Sequence, residues 1–189
     1  MENFREIERK FFVVGKSYLE AVGELRSSLS KTDTKFTEKE GNGRDFFWRR
    51  DSHTFVRVRK FTDDCEYTGE LTTKVRDKGD IVDRFESNIR LHTEADLSNA
   101  IAMQKALFGE HTQSLWKKYT LFQIGNDTNI CVYRTGELGI PLILEVESSS
   151  RSIVEALSRF CEGHFKLIRT GKSLLELAED INGEVERAE

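Results

Sequence analysis

The sequence predicts an α+β protein in which short antiparallel strands form a sheet that helices cover. Short segments of alternating apolar and polar residues recur along the chain, and turn-prone stretches separate many of them, such as 40–45, 77–80 and 125–127. Four other segments space their apolar residues as amphipathic helices do. Short connections favour antiparallel neighbours. No linker or low-complexity segment interrupts residues 1–189, so a single domain is expected.

Each element has its own local signal. The first helix carries Leu19, Val22, Leu25 and Leu29 at helical spacing, and the other three helices repeat that spacing. The helices are predicted at 17–29, 93–108, 150–164 and 171–181. The strands are predicted near 4–13, 45–50, 54–61, 67–76, 82–91, 114–124, 128–134 and 140–147, with a short one at 165–169.

Composition limits the classes of function. Charged residues make up 33% of the chain but carry both signs, and the net charge of -4 gives no support to a general nucleic-acid or membrane surface. No long apolar run predicts a membrane span, and the acidic, mixed N-terminus is unlike a signal peptide. Cys65, Cys131 and Cys161 lack CxxC spacing and are expected to be reduced thiols. A cytoplasmic protein is therefore expected.

The charged residues of five predicted strands share one face. Glu6, Glu8 and Lys10 alternate with Ile7 and with other apolar residues, so they point to the same side of the first strand. The other strands repeat this pattern with the pairs Arg57 and Arg59, Glu70 and Lys74, Arg84 and Glu86, and Glu145 and Glu147.

Two arrangements explain why the charged residues share one face of each strand. In a sandwich the charged faces are simply exposed to water, as antiparallel sheets commonly allow. In a barrel with its helices outside, the charges line a bore. Parity alone leaves both open, but arginine and glutamate recur at strand centres, and four amphipathic helices are available to cover the apolar faces. A charged bore must hold a charged ligand, because unpaired buried charge is costly.

Phosphate groups together with divalent metal ions fit such a bore. Arginine and lysine bind phosphate oxygens. Mg²⁺ or Mn²⁺ takes oxygen ligands from carboxylates and from substrate phosphates, which removes the repulsion between acidic side chains and a polyanion.

The ordered motifs resemble those of the CYTH superfamily, the triphosphate tunnel metalloenzymes. The opening Glu6-x-Glu8-x-Lys10 matches the signature ExExK of that superfamily. The further matches follow in family order and cover nearly the whole chain: Asp45-Phe46-Phe47, Val56-Arg57-Val58-Arg59, Lys74 in ELTTKV, Arg84 and Glu86 in RFESN, Lys117 or Lys118 in WKKY, and Glu145 and Glu147 in LGIPLILEVE.

The resemblance implies a closed eight-stranded antiparallel β-barrel that forms a tunnel, with helices packed on its outside. It implies Mg²⁺ or Mn²⁺ as the cofactor and a small-molecule triphosphate as the partner. The implied metal ligands are Glu6, Glu8, Glu86, Glu145 and Glu147. The implied phosphate-binding residues are Lys10, Arg57, Arg59, Lys74, Arg84 and Lys118, and the catalytic group consists of Lys10, Glu8 and Glu145.

The leading functional prediction is metal-dependent hydrolysis of inorganic tripolyphosphate or of a nucleoside or thiamine triphosphate. A class IV adenylyl cyclase, which makes cyclic AMP and pyrophosphate from ATP, uses the same tunnel parts and is the first alternative. The second is a non-catalytic triphosphate-binding protein, because Tyr133 and Tyr119 stand where the family usually has an acid and a base, and Ser173-Leu174 stands for its serine-tyrosine element. A monomer or a homodimer is compatible with the sequence.

Overall fold

The structure is a computed structural model that describes residues 2–51, 54–62, 68–75, 82–136 and 139–180; at 2–4 and 83–85 it describes the backbone alone. Three complete helices lie in this part: α1 (Tyr18–Ser30), α2 (Glu94–Phe108) and α3 (Arg151–His164). Residues 174–180, here called the C-terminal helical segment, are also helical. The strands are β1 (Glu2–Val13), β2 (Phe36–Arg49), β3 (Thr54–Phe61), β4 (Gly69–Val75), β5 (Val82–Leu91), β6 (Gln113–Ile124), β7 (Thr128–Thr135), β8 (Ile143–Ser148) and β9 (Leu167–Thr170).

The strands form one nine-stranded sheet in the order β5-β4-β3-β2-β6-β7-β8-β1-β9, and every pairing is antiparallel. Strand β1 has three partners. It pairs with β8 through residues 7–12, with β5 through residues 2–8, and with β9 through residues 10–13. The predicted closed eight-stranded barrel is therefore wrong, and the structure has a nine-stranded antiparallel sheet. The ninth strand, β9, pairs with the end of β1 that β5 does not reach.

Strand β2 is much longer than predicted. The stretch at 40–45 was predicted as a turn because of its glycines, yet it lies inside β2. A Cβ atom on Gly41 would lie 2.3 Å from the ring of Tyr119, and a Cβ atom on Gly43 would lie 3.0 Å from the carbonyl oxygen of Lys60. These glycines therefore serve close packing within the sheet rather than a reversal of the chain. The predicted turn at 77–80 lies outside the described residues.

Two helices begin at capping boxes. At α1 the Ser17 side chain accepts a hydrogen bond from the Glu20 backbone N–H, and the Glu20 side chain accepts one from the Ser17 backbone. Thr93 and Asp96 repeat this arrangement at α2. Each box satisfies backbone donors that would otherwise lack partners, and so fixes where the helix starts. Among the described residues, no helix has the length and apolar character needed to cross a membrane.

The helices cover the apolar faces of the strands. Helices α1 and α3 pack with Ile7 and Phe11 of β1 and with Phe122 of β6 in one core. Helix α2 packs over a second core around Trp48 and Val58. Because side chains alternate along a strand, this packing turns the opposite faces, which carry the charged residues, away from these helices.

A third apolar cluster lies at the C-terminal helical segment. Leu174, Leu175 and Ala178 of this segment are buried against Phe47 and Phe55, together with residues of β6, β7 and β8. The segment is also tied to β2 by an ion pair between Arg49 and Glu179. This cluster closes off the sheet interior on the side of Phe47 and Phe55.

Candidate functional site

A cavity of about 550 Å³ lies on the charged side of the sheet. Strands β1 to β8 all contribute side chains to it. A smaller cavity of about 40 Å³ shares five of these residues and reaches Ser173 and Leu174 at the C-terminal helical segment. The shared residues are Arg57, Arg59, Lys74, Lys117 and Glu145. Charged groups from distant parts of the chain thus converge in one place.

Burial decides between the two arrangements that the sequence left open. Glu8 is 1% exposed, Glu86 2%, Lys10 6% and Lys74 8%. Charged residues on a face open to water would be far more exposed. The charged faces of the strands are therefore interior surfaces, and the sandwich alternative is excluded.

Lys10 lies among the carboxylates of β1 and β8. Its Nζ atom is 2.5 Å from Glu8 Oε1 and 3.2 Å from Glu145 Oε2. The register explains the contact with Glu145, because Lys10 is paired with Glu145 across the two strands. Glu8 lies two residues before Lys10 and so shares its face of β1. The lysine partly neutralises two of the predicted metal ligands.

Lys74 has a similar place on the other side of the cavity. Its Nζ atom contacts Glu86 Oε1 of the neighbouring strand β5 and lies 3.6 Å from Glu6 Oε2. Lys74 is opposite Glu86 in the register of β4 and β5, so the strand pairing itself brings the two charges together.

Arg59 is held by the fully buried Asp45. Its Nε donates to Asp45 Oδ1 at 2.6 Å and its Nη2 donates to Oδ2 at 2.7 Å. Burial by itself raises the pKa of Asp45, but attraction to Arg59 and these two hydrogen bonds outweigh it and lower the pKa to about 2. The fork fixes the plane of the guanidinium at the wall of the cavity.

Arg57 is held less completely. Its Nη2 donates to Glu70 Oε1 at 2.9 Å and to Thr72 Oγ1 at 3.0 Å. Its Nε is buried and has no hydrogen-bond partner within the described part of the chain. A buried donor without a partner is costly, and an anion in the cavity is a suitable acceptor for it.

Lys117 and Tyr133 form a stacked pair beside Glu145. Lys117 Nζ is 3.5 Å from the centroid of the Tyr133 ring, and Tyr133 Oη donates to Glu145 Oε2 at 3.0 Å. Burial, followed by the charge of Glu145, raises the pKa of Tyr133 well above its ordinary value. Tyr133 is therefore a neutral donor to Glu145, and its ring face supports the lysine.

The carboxylates of β1 and β8 have the chemistry of a divalent-cation site. Burial and repulsion from Glu145 raise the pKa of Glu147, and a cation at this place would relieve that repulsion. Carboxylate oxygens are the ligands that Mg²⁺ and Mn²⁺ prefer. The described residues contain no assembled group of three or more His, Cys, Asp or Glu side chains that could hold a metal. The residue types fit such an ion, although these carboxylates are not assembled around one point and Lys10 contacts two of them, Glu8 and Glu145.

The structure places most of the predicted site residues around the two cavities. Glu6, Glu86 and Glu147 line the large cavity, Glu8 and Lys10 line the small one, and Arg57, Arg59, Lys74 and Glu145 line both. The side chain of Arg84 lies outside the described part of the structure.

Lys118 does not line either cavity. Its Nζ lies 5.6 Å from the ring centroid of Tyr18, on the face of β6 that α1 covers, and the preceding Lys117 faces the cavity instead. The strand prediction allowed either lysine, because β6 carries apolar residues on both faces: Leu115 and Leu121 on one, Phe122 on the other. The placement therefore differs from the prediction by one residue.

Glu70 and Asp45 also belong to the site, although neither was among the predicted ligands. Glu70 lines the large cavity and Asp45 the small one, and each holds one of the two arginines. The Arg-x-Arg spacing on β3 was the feature of the sequence that could have indicated these two acidic residues. Two guanidinium groups that are largely buried on one strand require acidic partners on the strands at either side.

Comparison with known proteins supports the fold. No protein-family model matches the chain, and no curated protein matches it. Among solved structures, a protein from Pyrococcus horikoshii OT3 superposes with a TM-score of 0.68 at 19% identity, over 91% of this chain and 98% of its own. A candidate adenylate cyclase from Vibrio parahaemolyticus gives a TM-score of 0.65 at 15% identity, over 93% and 98%.

A third solved structure has a similar fold. It is a candidate adenylyl cyclase from Hippeastrum that is described as having a dominant triphosphatase activity. It superposes with a TM-score of 0.65 at 14% identity, over 93% of this chain and 95% of its own. At these identities the likeness is one of fold. The resemblance that the sequence motifs predicted is thereby confirmed at that level: this chain shares the fold of these solved structures, two of which are candidate adenylyl cyclases.

Proposed function

We propose that this protein is a metal-dependent triphosphatase. The observation that carries the proposal is the convergence of Lys10, Arg57, Arg59, Lys74 and Lys117 with several carboxylates in one enclosed site. Cations from so many strands suit a ligand with several negative charges in a row, which a triphosphate has. The solved structures with this fold include a protein with triphosphatase activity, which supports the same class of reaction.

The cationic side chains bind and orient the phosphate chain. Arg59 is held rigid by Asp45, and Arg57 retains a buried Nε donor that a phosphate oxygen can satisfy. Phosphoryl transfer requires little covalent chemistry from a protein, so positioning and neutralisation of charge supply most of the rate enhancement. A fixed array of this kind stabilises the charge that develops on the terminal phosphate and on the leaving diphosphate.

Glu8, Glu145 and Glu147 are the residues that would hold Mg²⁺ or Mn²⁺. An ion held there would supply positive charge that neutralises the phosphate oxygens. In our proposal a carboxylate of this group orients the attacking water. The bond that forms joins the water oxygen to the terminal phosphorus, and the bond that breaks joins this phosphorus to the bridging oxygen. Free phosphate and the shortened chain are the products.

Product analysis after incubation with ATP, GTP and tripolyphosphate tests this proposal. Anion exchange should detect free phosphate when Mg²⁺ or Mn²⁺ is present and none when EDTA is added. Glu145→Gln should lower turnover by orders of magnitude, whereas Lys166→Ala, at an exposed position outside the cavities, should leave it unchanged. Cyclic AMP with pyrophosphate would instead indicate a cyclase.

A second candidate is a triphosphate-binding protein without turnover. Two contacts favour it: Tyr133 and Lys10 both bind Glu145, which reduces the capacity of that carboxylate for a metal. Recovery of intact ATP and tripolyphosphate from a protein that binds them in the presence of metal would support this candidate and contradict the triphosphatase.

A further inference from the structure

One end of the large cavity is lined by three apolar side chains, next to the exposed Lys39, which is paired with one of them, Leu121. Phe61 follows Arg59 by two residues on β3, and Tyr119 and Leu121 follow Lys117 by two and four residues on β6. Since alternate residues of a strand share a face, these apolar side chains lie on the same faces of β3 and β6 as Arg59 and Lys117. The distance from Arg59 to Phe61 along the strand is about 7 Å.

These two strands carry their apolar residues toward the same end of the cavity. Both β3 and β6 are antiparallel to β2, which lies between them, so they run parallel to each other. Phe61 and Lys117 are both paired with Gly43, and Tyr119 is paired with Gly41. We call Phe61, Tyr119 and Leu121 the ring subsite.

The glycines of β2 make room for this subsite. A Cβ atom on Gly41 would lie 2.3 Å from Cζ and from Oη of Tyr119, so the tyrosine ring occupies the space above that glycine. Gly43, the next inward-facing position, likewise presents no side chain to the cavity. The absence of a side chain at Gly41 therefore lets the Tyr119 ring pack directly against the backbone of β2, where it forms part of the wall of the ring subsite.

The opposite side of this end offers hydrogen bonds. Asn126, Asn129 and Ser149 line the cavity there, together with Asn88. The Oδ1 atom of Asn88 is buried and has no hydrogen-bond partner within the described residues. An amide oxygen accepts hydrogen bonds, and a phosphate chain presents chiefly acceptors of its own, so N–H or O–H groups of an organic ligand suit it better.

We infer that the ring subsite binds the aromatic ring of an organic triphosphate, so that the substrate is a nucleoside triphosphate or a similar ring-bearing ester rather than inorganic tripolyphosphate. The inference rests on the proposed function, because it takes the cationic part of the cavity as the phosphate site. The volume of about 550 Å³ lies within the ~300–1,000 Å³ of sites that bind drug-sized ligands.

Equilibrium binding of two triphosphates that differ in the ring tests the inference. ATP and methyl triphosphate carry the same charged chain, but only ATP has a base. Titration calorimetry with Ca²⁺ as the divalent ion measures both Kd values. The wild-type protein should bind ATP at least about fivefold more tightly than methyl triphosphate, which corresponds to one contact between a base and an aromatic side chain.

Matched variants locate the contact. Phe61→Ala should reduce the ratio of the two Kd values at least about fivefold, and Leu121→Ala should also reduce it. Leu121→Ala provides the same test if Phe61→Ala does not fold. Phe108→Ala removes an exposed aromatic side chain at the end of α2 and should leave the ratio as it is in the wild type. Equal Kd values in the wild-type protein, a ratio that neither cavity variant changes, or no binding of ATP would overturn the inference.

The two proposals fail in different ways. If ATP binds more tightly and the Phe61 variant removes the difference, the inference holds even when no phosphate is released, and only the proposed hydrolysis is wrong. If phosphate is released from both compounds but their Kd values are equal, the triphosphatase stands and the ring subsite is overturned.

Discussion

Arg59 and Asp45 form a two-bond fork across strands β2 and β3, in which the carboxylate is completely buried. The bonds are 2.6 and 2.7 Å long, and they join residues that are directly opposite in the strand register. The pair has two structural roles. It keeps a charged guanidinium at the cavity wall, and it links the geometry of the candidate phosphate site to the pairing of two central strands.

Removal of Asp45 should destabilise the folded protein strongly. In Asp45→Ala the guanidinium of Arg59 stays buried but loses its partner, which costs about 3–5 kcal/mol. Urea unfolding followed by circular dichroism measures the loss. Glu38→Ala is the matched control, because it breaks the ion pair between Glu38 and Arg26 at the surface and should cost less than about 1 kcal/mol. Similar losses in both variants would contradict the role of burial.

The same pair predicts how stability depends on pH. The pKa of Asp45 in the folded protein is about 2, below its ordinary value of 3.8, so ionised Asp45 stabilises the folded state above about pH 4. This contribution, about 2 kcal/mol, should be lost as the pH falls from about 4 to 2. Urea midpoints of the wild type and of Asp45→Asn, measured from pH 6 downward, should differ at pH 6 and converge toward pH 2. A difference that stays constant with pH would contradict the assignment.

The adjacent residues Lys117 and Lys118 lie on opposite faces of β6, and only Lys117 faces the cavity. Lys117→Ala should lower kcat/KM for triphosphate hydrolysis about ten- to a hundredfold, because one charge-assisted contact is worth about 1.5–3 kcal/mol. Lys118→Ala removes the same charge from the face that packs near Tyr18 and should have little effect. Phosphate release at several substrate concentrations measures both. The reverse order of effects would mean that Lys118 is the phosphate ligand, as the motif suggested.

The sequence was informative where one face of a strand was clearly charged. On β1 and β4, Glu8, Lys10 and Lys74 alternate with apolar residues, so their direction followed from parity. Parity is ambiguous on β6, where both faces are partly apolar, so the motif WKKY predicts Lys118 although Lys117 faces the cavity. The glycines at 41 and 43 resemble turn residues in the sequence, because their roles depend on distant partners: Gly41 packs against Tyr119, 78 positions away, and Gly43 against Lys60, 17 positions away.

Long-range pairing accounts for the remaining differences. The link between Asp45 and Arg59 depends on the register of two strands, and a motif read along one strand does not contain it. The place of β9 beside β1 depends on how far β5 extends along the same edge. A periodic pattern predicts that a short strand exists near 165–169, but it does not predict which strand will pair with it.

Polyphosphate with a divalent cation should stabilise the protein far more than simple anions do. The site holds Lys10 against Glu8 and Glu145 and places Glu147 close enough to Glu145 for repulsion, so charges of both signs are crowded there. A ligand that binds only the folded state adds about 2.7 kcal/mol at a hundredfold excess over Kd. For a domain of this size that amounts to about 5–11 °C in Tm.

A thermal scan with tripolyphosphate and Mn²⁺ measures this stabilisation, with sulfate at equal ionic strength as the control. Sulfate should shift Tm much less, because a single tetrahedral anion engages only part of the array that Arg57, Arg59, Lys74 and Lys117 form. The double variant Lys10→Ala/Lys74→Ala should lose most of the specific shift, since both lysines are buried at the site. General screening by salt acts alike on all anions. Equal shifts with tripolyphosphate and sulfate in the wild-type protein would therefore mean that the cavity does not bind a phosphate chain.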